Sequence, residues 1–122
     1  MKIFTGNFGN IKKYREAGLT TVSIARFNRW YNGAKMMDLA PTAAMIHDPE
    51  DIYTPKFASI LANLSAEETF KKLETLSEGK DIVLLCYEKV GDFCHRHLVA
   101  NWLTQNLGIE IKELGKMETI KA

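Results

Sequence analysis

Ile82-Val83-Leu84-Leu85-Cys86 is the stretch that decides the fold. Five apolar residues in a row leave no face for water. A run this short, bounded by Gly79 before it and by Lys89-Val90-Gly91-Asp92-Phe93 after it, predicts a strand covered on both sides. Such strands lie in the middle of parallel sheets.

Working outward toward the C-terminus, residues 94–106 predict a helix that stops at Gly108, and residues 109–114 predict a last strand of alternating character. Toward the N-terminus, Ser65-Ala66-Glu67-Glu68 matches a capping box and opens a helix that should bury Phe70, Leu73 and Leu76. Phe57, Ile60, Leu61 and Leu64 recur at helical spacing before it. Residues 2–5 predict a first strand and residues 11–17 a short helix, with Gly18 placed as a C-terminal glycine. The β-branched stretch Thr20 to Phe27 predicts a second strand. Residues 28–49 carry Asn32-Gly33 and two of the three prolines without clear periodicity, as expected of either a binding loop or a surface insert.

Alternation of strands and helices predicts one three-layer α/β domain over residues 1–122: a small, mostly parallel sheet of about four strands with helices on both faces. Ligands of such sheets bind beyond the carboxyl ends of the strands. Here that brings together Thr5 to Asn10, Arg26 to Trp30 and Cys86 to Arg96. The length suffices for a core without disulfides or metals, and the 46% hydrophobic and 25% charged fractions are ordinary. A net charge of +1 argues against an electrostatic grip on nucleic acid. No apolar run approaches the roughly 18 residues of a membrane span. Residues 1–5 read as a strand and not as a signal peptide, so a cytoplasmic setting is expected.

Cys94, His95 and Arg96 open the helix that follows the central strand. Around that helix Leu98, Val99, Trp102 and Leu103 define the apolar face, and His95 and Arg96 fall on the same side. An inward-pointing arginine needs polar company. Glu88 or Asp92 would supply it structurally; an anion held by Arg96 and the free N–H groups of the first turn would supply it functionally. The helix start and its basic neighbours favour the Cys94 thiolate, with His95 adjacent as a base; equally, Cys94 would simply pack as a small apolar residue. Adjacency alone does not join them, because consecutive helical residues point about 100° apart. Cys86 reads as a buried, inert thiol. A redox pair of Cys86 and Cys94 is possible in space but has no Cys-x-x-Cys signature; a metal site built from them and a histidine lacks that spacing too, so no metal is expected, and no particular cofactor is implied.

Thr5, Gly6 and Asn7 form a glycine-containing turn able to bring N–H groups to a phosphate, though turning the chain explains it equally. Arg26 and Arg29 converge on the same edge; each alone would be a solvated residue. Trp30 and Tyr31 would either stack on a base or anchor their loop, and His47 reads as a surface residue.

Leu84-Leu85-Cys86-Tyr87-Glu88 followed by Cys94-His95-Arg96 resembles the signature of the domain-of-unknown-function family 488, in which a strand ends in Cys-x-Glu and a helix opens with Cys-His-Arg. Phe4-Thr5-Gly6-Asn7 resembles the family's Thr-x-Gly strand end without the intervening residue, and Ile24-Ala25-Arg26 resembles its Asp-Val-Arg with the acid replaced. The resemblance implies an α/β fold and draws Glu88 into the site as an acid, base or arginine partner; it names no reaction. Three functions follow. The first is an enzyme acting on a phosphate-bearing small molecule or nucleotide, with Arg26 and Arg96 holding the anion, Cys94 as nucleophile or ligand contact, and Glu88 or His95 moving a proton. The spacing from Cys94 to Arg96 is too short for the cradle of cysteine phosphatases and sulfurtransferases. The second is a nucleotide- or anion-binding module without turnover. The third is a structural or partner-binding protein whose polar cluster is satisfied internally. Oligomeric state is not legible.

Overall fold

The apolar run does form the central strand. The computed structural model describes residues 1–87 and 94–114. In chain order the elements are β1 (Ile3–Asn7), α1 (Ile11–Glu16), β2 (Thr20–Ser23), β3 (Ala34–Lys35), α2 (Glu50–Ala62), α3 (Ala66–Ser77), β4 (Ile82–Cys86), α4 (His95–Leu107) and β5 (Lys112–Glu113). The strands lie in the order β3-β2-β4-β1-β5, and every pairing is parallel. All five residues of β4 are buried. Ile82 and Leu84 join the larger core, together with Phe57, Leu61, Leu73, Val99 and Leu103 from α2, α3 and α4. Val83 and Leu85 join the smaller one, with Tyr14 of α1 and with Phe8, Ala25 and Tyr31. One strand thus feeds two helical layers by its period of two. Among the described residues no helix is long and apolar enough to cross a membrane.

The expected strands are present, and β3 inside residues 28–49 adds a fifth. Strand two is shorter than its composition suggests. Ile24 still donates to Leu85 O, but the Ser23 Oγ then accepts from Ala25 N–H (3.3 Å) and Asn28 Nδ2 (2.7 Å). That side-chain network folds residues 24–28 away from the sheet. At the capping box, Ser65 Oγ accepts from Glu68 N–H as expected, yet α3 buries Ala66, Thr69, Leu73 and Ser77. Phe70 is only partly buried and Leu76 is 39% exposed. The buried face of α3 is rotated from the apolar stripe. At the end of α4, Gly108 takes the left-handed conformation (φ 67°) that favours glycine at this position.

Candidate active site

Beyond the carboxyl ends of β2 and β4 lies a cavity of about 370 Å³. Cys86, Cys94 and His95 line it together with Arg26, Tyr53 and Asp48. Residues 28–49 build one wall, through Pro41, Ile46, His47 and Asp48. The long connection therefore forms one wall of the cavity, and His47, although exposed, is among its lining residues.

Each reactive group is set by its element. Cys94 is the N-cap of α4, with extended backbone (φ −152°, ψ 144°). The 100° helical step therefore does not separate it from His95, and its Sγ lies 3.7 Å from His95 Nδ1. His95 is buried, with its ring edge-on to Phe57. Its Nε2 lies 2.7 Å from the Ile24 carbonyl. A carbonyl only accepts, so Nε2 carries the hydrogen and Nδ1 presents its lone pair toward Cys94. Burial pushes the His95 pKa down to about 4 against the pull of the Ile24 carbonyl, with repulsion from Arg96 and His97 adding to the fall. Cys86, at the tip of β4, forms a disulfide with Cys94. This corrects the expectation of an inert thiol: Cys94, at the N-cap of α4, stands against the end of β4.

Arg96 is wholly buried behind the cavity and points toward the sheet. Its Nε donates to both oxygens of Glu113 (3.1 Å each), its Nη2 donates to Oε2 (2.7 Å) and its Nη1 approaches Cys86 Sγ at 3.1 Å. Glu113 also accepts from Thr5 Oγ1 (2.5 Å), its neighbour in the β1–β5 register. Burial opposes ionisation of Glu113, but the hydrogen bonds from Arg96 and Thr5 and the nearby positive charge outweigh it and lower its pKa. Arg96 is thus committed to an internal ion pair. Glu113 was not singled out by sequence. Its signal is parity: it continues the inward row of Ile109 and Ile111, both packed against the larger core.

The remaining candidates separate. Arg26 reaches the cavity and donates through Nε to Pro41 O (2.6 Å). It has no carboxylate partner among the described residues. Arg29 is exposed and does not line the cavity. Thr5, Gly6 and Asn7 do not line it either. Thr5 serves Glu113, the Asn7 N–H reaches Tyr14 Oη (3.4 Å), and Asn7 Oδ1 accepts from Asn10. Gly6 is glycine because Tyr14 covers it: a Cβ there would sit 2.5 Å from the Tyr14 hydroxyl oxygen. Tyr31 is buried with its hydroxyl on the Thr21 carbonyl, an anchor for its loop. Trp30 is 57% exposed and donates to Tyr87 Oη (2.8 Å), which in turn donates to Phe27 O. Glu88 and Asp92 lie outside the described residues.

A family model described as the active DUF488-N3 subclade, DUF488-N3a, matches residues 10–107, from the start of α1 to the end of α4. No curated protein and no solved structure matches the chain.

Proposed function

The chain belongs to the DUF488 family, and from that premise we propose that it is an enzyme acting on a phosphate-bearing small molecule or nucleotide in the cavity at the carboxyl end of β4. One observation carries the reading: the Cys94 sulfur, the His95 imidazole and Arg26 line the same cavity, with His95 Nδ1 3.7 Å from Cys94 Sγ. In the reduced protein the Cys94 thiol hydrogen bonds to Nδ1 and the α4 N-terminus favours its thiolate; because burial holds the His95 pKa near 4, the ring accepts that hydrogen bond and passes the proton on without storing it. Arg26 is the anion contact, since Glu113 occupies Arg96. Arg96 is a positioning residue, fixing the first turn of α4 against β5. Glu88 remains the second candidate for moving a proton. The description of the subclade as active agrees with turnover.

The test screens reduced protein against a panel of nucleotides and sugar phosphates by thermal shift, followed by product analysis. A ligand at about a hundred times its Kd adds about 2.7 kcal/mol. With an unfolding entropy of about 2.1 cal/mol/K per residue, 122 residues convert this into a rise of about 10 °C. R26A should abolish the shift, and C94S should keep it while losing product formation. Turnover that survives in C94S removes the nucleophile. Binding with no turnover in any case leaves the anion-binding module as the function. No shift with any phosphate compound rejects the substrate class.

A further inference from the structure

Cys86 Sγ, Cys94 Sγ and a ring nitrogen of His95 all lie within 4.8 Å of one another, each on a buried residue. We propose that, once the disulfide is reduced, Cys86, Cys94 and His95 form a three-ligand site for Zn²⁺ that opens into the cavity. Two thiolates and an imidazole are the donor set that zinc selects, and three protein ligands with an open fourth position describe the reactive class of zinc sites.

The surroundings fit the ion as well as the ligands do. A zinc-binding histidine gives its other ring N–H to a carbonyl or carboxylate, which fixes ring and tautomer. His95 does so through Nε2 and Ile24 O (2.7 Å), leaving Nδ1 on the side of the sulfurs. Thiolate ligands are steadied by donors, and Arg96 Nη1 stands 3.1 Å from Cys86 Sγ. The two charges of Zn²⁺ balance the two thiolates, so the loaded site brings no net charge into the buried position. The backbone spacing agrees. The Cα atoms of Cys86 and Cys94 are 7.3 Å apart, beyond the roughly 4.4–6.8 Å of ordinary disulfides. Thiolates bound at about 2.3 Å to one tetrahedral ion are about 3.8 Å apart, which suits wider backbones. The fourth position faces the cavity, where water or a ligand oxygen has room.

The chemistry balances with an added phosphine reductant. The phosphine takes oxygen from water and becomes its oxide, its two electrons cleave the S–S bond, and the two water protons end on the two sulfurs. Binding Zn²⁺ then releases both thiol protons to solvent. Zinc ligation and nucleophilic use of Cys94 are alternative states of one pocket, and this inference goes beyond the proposed function: zinc binding is read without any phosphate compound, so either can fail alone.

The experiment uses the whole chain, reduced with the phosphine and freed of metal, with Zn²⁺ alone as the probe. Uptake is followed with a chromophoric chelator, and alkylation of each cysteine is followed by peptide mass spectrometry with and without the ion. One equivalent of Zn²⁺ should bind and slow alkylation of both Cys86 and Cys94 by about tenfold or more. The disulfide form should bind none. H95A should weaken binding by more than about tenfold. Alkylation of either cysteine unchanged at saturating Zn²⁺ overturns the site, and so does a folded H95A that binds as tightly as the parent. If H95A does not fold, the protection of the parent protein decides alone.

Discussion

Replacing Glu113 by alanine isolates the ion pair beneath the site. The change removes three hydrogen bonds from Arg96, two at 3.1 Å and one at 2.7 Å, together with the Thr5 contact. It leaves the guanidinium in a wholly buried position without its carboxylate. Breaking a buried pair by removing one partner costs about 3–5 kcal/mol. The Glu113 side chain is 20% exposed, so water reaches part of the vacated volume and the lower end, about 3 kcal/mol, applies. With an unfolding entropy of about 2.1 cal/mol/K per residue, 122 residues give about 0.26 kcal/mol/K, and Tm should fall by about 12 °C. The assay is thermal unfolding by circular dichroism at pH 7, with urea unfolding to check that the m-value is unchanged. The control is K72A, which removes a 3.0 Å ion pair with Asp38 whose side chains are 60% and 45% exposed. Exposed pairs contribute about 0–1 kcal/mol. If E113A loses no more than K72A, the buried pair is not what fixes the start of α4, and the structural assignment of Arg96 fails.

The same carboxylate sets an acid limb. Because the folded pKa of Glu113 is lowered from 4.5, the folded state holds fewer protons than the unfolded one, and its contribution is present above that value and lost as pH falls through the folded pKa. The stability difference between the parent and E113Q should therefore be flat near neutrality and shrink below about pH 4.5 in urea titrations at stepped pH; a difference that persists undiminished at the acid end contradicts the assignment. G6A drives a Cβ into the buried Tyr14 ring, 2.5 Å from its hydroxyl oxygen and 2.7 Å from Cζ, and overpacking of this kind should cost about 1–3 kcal/mol by denaturant unfolding. The double variant G6A/Y14F should stay destabilised, because Cζ and Cε2 would still lie 2.7 and 2.8 Å from the new Cβ; recovery of parental stability contradicts the packing argument. S65A deletes the cap of α3 and should cost about 1 kcal/mol, with no effect on cysteine alkylation.

What the sequence carries and what it hides divide by range. The placement of β4 is local: five buried apolar residues have no other reading, and their alternation between two cores follows from strand geometry. The Ser65 cap is likewise written in four consecutive residues. The early end of β2 is not, because it depends on Ser23 and Asn28 choosing each other over the ladder. Sequence proximity offers Glu88 or Asp92 as the partner of Arg96, whereas among the described residues Glu113 of β5 supplies the carboxylate. Gly6 illustrates a functional signal with a packing cause, since only the fold brings Tyr14 over it. The joining of Cys86 and Cys94 has no motif for the same reason. Their sequence separation of 8 says nothing until the fold sets the start of α4 against the end of β4.

Division of labour among the arginines follows from where charge can be satisfied. Arg96 meets a carboxylate inside the protein, so drawing an outside anion to it would first require displacing Glu113 and its Thr5 contact. That displacement would cost the energy the ion pair contributes. Arg26 carries no such debt. It stands at the cavity on the segment that Ser23 and Asn28 pull away from the sheet, and its one described hydrogen bond ties Nε to Pro41 of the opposite wall. The early end of β2 therefore shapes the cavity. Continued in regular strand geometry, residues 24–27 would not be bound into this turn. The Ile24 carbonyl that accepts from His95 and Arg26, which lines the cavity with Cys86 and Cys94, belong to one short segment, residues 24–26, at the end of β2. The site is assembled where the strand stops being a strand.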